Sequence, residues 1–114
     1  MRKLTVVLFA AFAVSAFAVD TVKGHLVDLA CAAEEGQKPG FGSKHTKGCL
    51  EMPDCAKSGY GVLTEDKKVI KFDQASNEQA KKFIAELKQT KDIKVTVTGT
   101  LKGDTLTVNT IELQ

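Results

Sequence analysis

All three cysteines of this sequence lie within residues 31–55, together with one of its two histidines. Thiolate and imidazole groups are the ligands that Zn²⁺ prefers, and four such groups can close tetrahedrally around it. Cu(I) is an alternative, because thiolates favour it and Met52 lies between two of the cysteines. The segment therefore predicts a site for a soft metal ion, copper or zinc, with the ligands Cys31, His45, Cys49 and Cys55.

The same cysteines also fit an interpretation without a metal. Oxidising export machinery would join two of them and leave the third free. A bond from Cys31 to Cys49 or Cys55 would staple a glycine-rich segment to the strand before it. Closing a loop of about 20 residues stabilises a protein by about 3 kcal/mol in the chain-entropy model. A redox-active thiol is a third interpretation, although the chain has no C-x-x-C motif.

Other chemistry finds little support in the sequence. Ser43 and Ser58 lack the G-x-S-x-G setting of a hydrolytic nucleophile. No glycine loop follows a strand and opens a regular helix, as phosphate binding requires. His25 lies on a strand face opposite Gly24 and Leu26, and is only a secondary candidate for a ligand. We therefore expect no enzyme activity, and a metal ion or a protein as the partner.

The first 18 residues are typical of a secretory signal peptide, with a basic start, an apolar run and the cleavage signature Ala16-Phe17-Ala18. Asp28-Leu29-Ala30-Cys31 superficially resembles a lipoprotein cleavage site. However, Asp20 and Lys23 interrupt the apolar run before it, which argues against a lipid anchor. We expect an exported protein, periplasmic or secreted, with a single domain over residues 19–114.

Charge and hydropathy limit the partners of the exported chain. Removal of Arg2 and Lys3 leaves as many basic as acidic residues, so the net charge falls from +2 to zero. Binding to nucleic acid or to an anionic membrane needs a basic surface, which argues against both. No apolar run after residue 18 approaches the length of a membrane span.

The spacing of apolar residues predicts the elements that position the cysteines. Alternation predicts strands over residues 21–30, 60–64, 68–73 and 93–102, and a last strand after the turn at 102–104. A change of apolar parity near Asn109 predicts a β-bulge in that last strand. Ser76, with Gln79 in a capping box, predicts a helix over residues 77–89. Pro53 predicts a short helix that ends at Gly59.

This order of elements resembles the OB-fold, a five-stranded Greek-key barrel with a helix between strands 3 and 4. The Cys-rich segment is then an insertion between strands 1 and 2. An open meander packed on the helix would fit the same pattern. Several runs also resemble a group of small exported bacterial proteins of unassigned role: Gly24–Asp28, His45–Cys49, Cys55–Val62 and Val95–Thr100. The resemblance supports export and the barrel, and implies no activity.

Two functions are consistent with these features. In the first, the insertion of a small exported binding protein holds copper or zinc. In the second, a disulfide shapes the insertion into a loop that binds a protein or an oligosaccharide without catalysis. Phe41 and Tyr60 would then be contact residues at the mouth of the barrel.

Overall fold

The computed structural model describes residues 19–114, and the predicted signal peptide, residues 1–18, lies outside the described residues. Five strands form one mixed sheet that closes in a ring, and short helices accompany it. The elements are, in order, β1 (Asp20–Asp28), α1 (Leu29–Glu35), α2 (Phe41–Lys44), α3 (Lys47–Glu51), α4 (Pro53–Ser58), β2 (Tyr60–Leu63), β3 (Val69–Phe72), α5 (Gln74–Glu86), β4 (Lys94–Lys102) and β5 (Thr105–Leu113). No helix of residues 19–114 has the length and hydropathy needed to cross a membrane.

The strands follow the order β1-β2-β3-β5-β4 around the ring. β1 pairs antiparallel with both β2 and β4, and β2 continues into β3 through the predicted hairpin. β4 and β5 form a second antiparallel pair, and a short parallel contact between β3 and β5 closes the ring. The predicted positions of the regular helix, between strands 3 and 4, and of the Cys-rich insertion, between strands 1 and 2, are confirmed.

The core lies inside the ring, and its buried residues come from every strand, from α5 and from Leu50 of α3. Val22 and Leu26 of β1 contribute to it from one face, as the alternation predicted. Val27, on the opposite face of β1, is also fully buried, in a second cluster with Ala32, Phe41 and Leu63. The insertion therefore covers the outer face of β1, and this strand is buried on both sides at its C-terminal end.

The start of the long helix differs from the sequence prediction. α5 begins at Gln74, because the carboxylate of Asp73 caps it and accepts a hydrogen bond of 2.9 Å from the backbone N–H of Ser76. The predicted capping box at Ser76 is wrong. The Ser76 hydroxyl instead accepts a hydrogen bond of 2.8 Å from the backbone N–H of Val108, which ties α5 to β5.

The predicted bulge in the last strand is confirmed. Thr98 of β4 pairs with Thr110 of β5, but the next residue, Gly99, pairs with Val108. Asn109 is thus the extra residue of β5. It shifts the inward-facing positions by one residue, which explains the change of apolar parity in the sequence.

The insertion is more regular than the sequence predicted. Only the helix that starts at Pro53 was expected, and α4 confirms it, with Gly59 at φ 90° after its end. Three further helices of four to seven residues, α1, α2 and α3, precede it. Helices this short have little stability of their own in water, so packing on the sheet must hold them.

Candidate metal centre

The pairing of β1 with β2 brings two distant cysteines together. Asp28 ends β1 and lies opposite Tyr60, the first residue of β2. Cys31 follows Asp28 by three residues, in the first turn of α1, and Cys55 precedes Tyr60 by five residues, in α4. Because the strand ends are neighbours, the start of α1 lies beside the end of α4. The backbone N–H of Leu29 accordingly donates a 2.9 Å hydrogen bond to the carbonyl of Gly59.

Three side chains meet at this junction and could hold a metal ion. A carboxylate oxygen of Asp28 and the sulfurs of Cys31 and Cys55 all lie within 4.8 Å of one another. The two Sγ atoms are 3.9 Å apart. Asp28 is fully buried, Cys55 is buried and Cys31 is half-buried. The group therefore contains two of the four predicted ligands and one residue, Asp28, that the sequence analysis did not propose.

Asp28 is a buried carboxylate that keeps its negative charge. Burial opposes its ionisation, but hydrogen bonds from His45 and Cys31 outweigh burial and lower the pKa of Asp28 to about 2. His45 Nε2 lies 2.6 Å from Oδ1, and the backbone N–H of Cys31 donates to Oδ2 at 2.9 Å. An ionised carboxylate only accepts hydrogen bonds, so Nε2 of His45 carries the proton.

The environment keeps both thiols protonated when no ion is bound. Burial raises the pKa of the Cys31 thiol to about 12, and the hydrogen bond and charge of the Asp28 carboxylate act in the same direction. Burial also raises the pKa of the Cys55 thiol, and the charge of Asp28 adds to this effect. A reactive cysteine needs a lowered pKa. These two residues therefore do not have the character of a redox-active thiolate.

His45 lies beside the group through its contact with Asp28. It is the C-cap residue of α2, and its side chain is only 5% exposed. The ring of Phe41 lies with its centroid 4.8 Å from that of His45. Nε2 already donates to Asp28, so His45 fixes the carboxylate in this arrangement. Burial and a carboxylate partner distinguish it from an ordinary solvated loop histidine.

The other candidate residues lie elsewhere. Cys49, in α3, is half-buried and outside the three-residue group. Met52 is 54% exposed. His25 lies beside Gly42 of the insertion, but its Nε2 donates to Asp92, in the loop before β4, at 2.7 Å. The full predicted ligand set thus stays a prediction, and the geometry assembles only Cys31 and Cys55 of it.

The structure does not contain the predicted disulfide. All three cysteines are free, and the 3.9 Å between the sulfurs of Cys31 and Cys55 is well beyond a bond of about 2.05 Å. Reduced cysteines at this distance leave the metal interpretation open.

The aromatic residues expected to contact a partner are interior residues. Tyr60 is 1% exposed, and its hydroxyl donates a 2.8 Å hydrogen bond to the backbone carbonyl of Leu50. Phe41 is 9% exposed and packs against His45. Their expected role as contact residues is wrong, because both side chains are buried.

Comparisons of the chain with protein-family models, with curated proteins and with solved structures found no match. The site must therefore be interpreted from its own chemistry. One signal in the sequence pointed to it: Asp28 precedes Cys31 by three residues, the spacing of a helix N-cap and the third residue of its first turn. The apolar alternation instead predicted a strand through residue 30, whereas α1 begins at Leu29.

Proposed function

We propose that this protein is an exported, non-enzymatic binding protein for a soft or borderline metal ion, copper or zinc. The proposal depends on one observation: the donor atoms of Asp28, Cys31 and Cys55 converge within 4.8 Å. Two thiolates and a carboxylate can bind such an ion. A purely structural role for these three residues would not require their donor atoms to converge.

The electrostatics of the group support this proposal. A fully buried carboxylate is costly unless a partner or a cation compensates its charge. Asp28 already keeps that charge, and it faces two thiols whose protons a metal ion can displace. A bound cation would reverse the effect that now raises the pKa of both thiols, because its positive charge stabilises the thiolates.

We also propose that the ring of strands is an OB-fold-like Greek-key barrel. The strand order β1-β2-β3-β5-β4, the pairing of β1 with both β2 and β4, and the helix before β4 support it. Closing a sheet removes its exposed edges. In this fold the insertion covers one side of β1, and the three-residue group lies where the insertion leaves β1 and returns to β2.

Native mass spectrometry tests the proposed function. The full chain is expressed with its own N-terminus, purified from the exported fraction and reduced. It is then titrated with Zn²⁺ or with Cu(I) held in a weak chelator. We expect one bound ion per chain, and a protein mass that corresponds to a chain whose first residue is Val19. An unchanged mass with both metals would refute metal binding, and a retained N-terminus in the cytosol would refute export.

Thiol counting gives a second measurement on the same samples. In the metal-bound protein, alkylation should modify Cys49 quickly and Cys31 and Cys55 slowly. Chelation of the metal should let Cys31 and Cys55 react as well, although slowly at neutral pH, because burial raises the pKa of both thiols. Cys49→Ser is the matched control, since this cysteine is half-buried but lies outside the group. It should keep the ion, whereas Cys55→Ser should bind the ion much more weakly.

A further inference from the structure

The proposed function does not decide between copper and zinc, and the geometry of the same three residues favours one of them. We infer that the site takes a tetrahedral divalent cation of the zinc class, bound by one oxygen of Asp28 and the sulfurs of Cys31 and Cys55. His45 is then a positioning residue that holds Asp28, and not a ligand. This inference rests on the proposed function, because it assigns the ion and the ligands of that same site.

The distance between the two sulfurs fits tetrahedral coordination. Zinc binds thiolate at about 2.3 Å. Two bonds of that length to sulfurs 3.9 Å apart meet at an angle of about 116°. This angle is close to that of a tetrahedron. Linear coordination by two thiolates would place the sulfurs about 4.6 Å apart with bonds of the same length. The two sulfurs thus have the spacing of a tetrahedral edge.

The third donor also favours a divalent cation. Thiolate is the donor that selects Cu(I), and carboxylate is a harder donor that zinc accepts at about 2.0–2.2 Å. The oxygen of Asp28 lies within 4.8 Å of both sulfurs and is fully buried. A copper(I) site would gain little from this oxygen, whereas zinc uses all three groups and takes its fourth ligand from solvent.

The hydrogen bonds of Asp28 explain the role of His45. Each carboxylate oxygen already accepts one hydrogen bond, Oδ1 from His45 Nε2 and Oδ2 from the backbone N–H of Cys31. A carboxylate oxygen has a second lone pair, so one oxygen can still bind an ion. The two hydrogen bonds fix the orientation of the carboxylate. His45 itself is turned towards Asp28, and Phe41 packs on its ring.

Substitution of Asp28 should affect the affinities for Zn²⁺ and Cu(I) differently. Zn²⁺ affinity is measured by competition with a coloured chelator, and Cu(I) affinity with a Cu(I)-specific one. Loss of a neighbour that orients a ligand costs 10–100-fold in affinity, so loss of the ligand itself should cost about 100-fold or more for zinc. We expect Asp28→Asn to weaken Zn²⁺ binding by this factor and to change Cu(I) binding much less. Equal losses for the two metals would overturn the assignment of Asp28 as a ligand.

Co²⁺ provides a readout on the unmodified protein, which does not depend on whether the Asp28 variant folds. Tetrahedral Co²⁺ gives strong visible d–d bands, and each thiolate adds to the near-ultraviolet charge-transfer band. We expect the tetrahedral spectrum, with half the charge-transfer intensity in Cys31→Ser and unchanged intensity in Cys49→Ser. A weak octahedral spectrum, or a loss of intensity in Cys49→Ser, would refute the three-ligand site.

His45 is tested by conservative rescue. The amide nitrogen of a glutamine can occupy the position of Nε2 and donate to Asp28. His45→Gln should therefore retain most of the zinc affinity, while His45→Ala should lose about 10–100-fold. If both variants lose the ion completely, His45 is a ligand and the inference is wrong. Cu(I) binding without Zn²⁺ binding would refute the inference and leave the proposed function intact, whereas failure to bind either metal would refute both.

Discussion

Oxidation should join Cys31 to Cys55 and prevent metal binding. The two sulfurs are 3.9 Å apart, so a small change of side-chain torsion brings them to bonding distance. Oxidised glutathione is a suitable acceptor: the two thiols lose their hydrogens and two molecules of reduced glutathione form. The reaction should be slow, because the raised pKa of both thiols leaves little thiolate to attack.

The expected stabilisation follows from the length of the loop. Cys31 and Cys55 are 24 positions apart in the sequence. Closing a loop of this length stabilises the folded state by about 3.5 kcal/mol in the chain-entropy model. For a domain of this size the melting temperature should rise by about 14 °C or more. Oxidation should at the same time abolish zinc binding, because sulfurs that form a disulfide cannot bind zinc as thiolates.

The assay compares reduced and oxidised protein by thermal unfolding, peptide mapping and zinc titration. Cys49→Ser should oxidise like the wild type, because Cys49 lies outside the three-residue group. The reasoning would be refuted if mapping found Cys49 in the disulfide. It would also be refuted if the oxidised chain bound zinc with unchanged affinity.

Two further predictions concern the fold around the site. Asp73→Ala should cost about 1 kcal/mol of stability at neutral pH, because it removes the cap of α5. The hydrogen bond from Ser76 lowers the pKa of Asp73 below its ordinary value of 3.8. The stabilisation by this cap is therefore present above pH 3.8 and is lost as the pH falls through the lowered pKa. A difference in urea midpoint between wild type and Asp73→Ala that is equal at neutral and strongly acid pH would contradict this. Gly42→Ala places a Cβ 2.4 Å from the His25 ring, and should cost about 1–3 kcal/mol in the same assay. The added substitution His25→Ala should recover part of that loss, and no recovery would show that the contact is not the cause.

Local patterns in the sequence were sufficient for most of the sheet. Alternation identified the strands, and the change of parity located the bulge at Asn109 before any pairing was known. The start of α5 could not be fixed in the same way. Asp73 and Ser76 are both good N-cap residues three positions apart. The choice between them depends on a contact of Ser76 with Val108, which is distant in the sequence.

The group of Asp28, Cys31 and Cys55 was only half predictable for a related reason. The clustering of cysteines pointed to Cys31 and Cys55, but the sequence carries no signal that β1 ends opposite the start of β2. That register selects which cysteines meet, and it makes Asp28 the third member. The role of His45 depends on burial and on its 2.6 Å contact with Asp28. Neither can be inferred from the spacing of residue types.

The location of the group also determines how an ion would act on the fold. α1 and α4 have seven and six residues, too few for stability on their own. The Ala30 N–H donates a hydrogen bond of 3.1 Å to the Ser58 hydroxyl, which links the two helices. Cys31 and Cys55 would connect the two helices through the metal, and Asp28 would connect both to the end of β1. Binding should therefore stabilise the insertion more than the ring. Hydrogen exchange should slow in α1 and α4 when zinc is added, while the strands, already buried in the core, should change little.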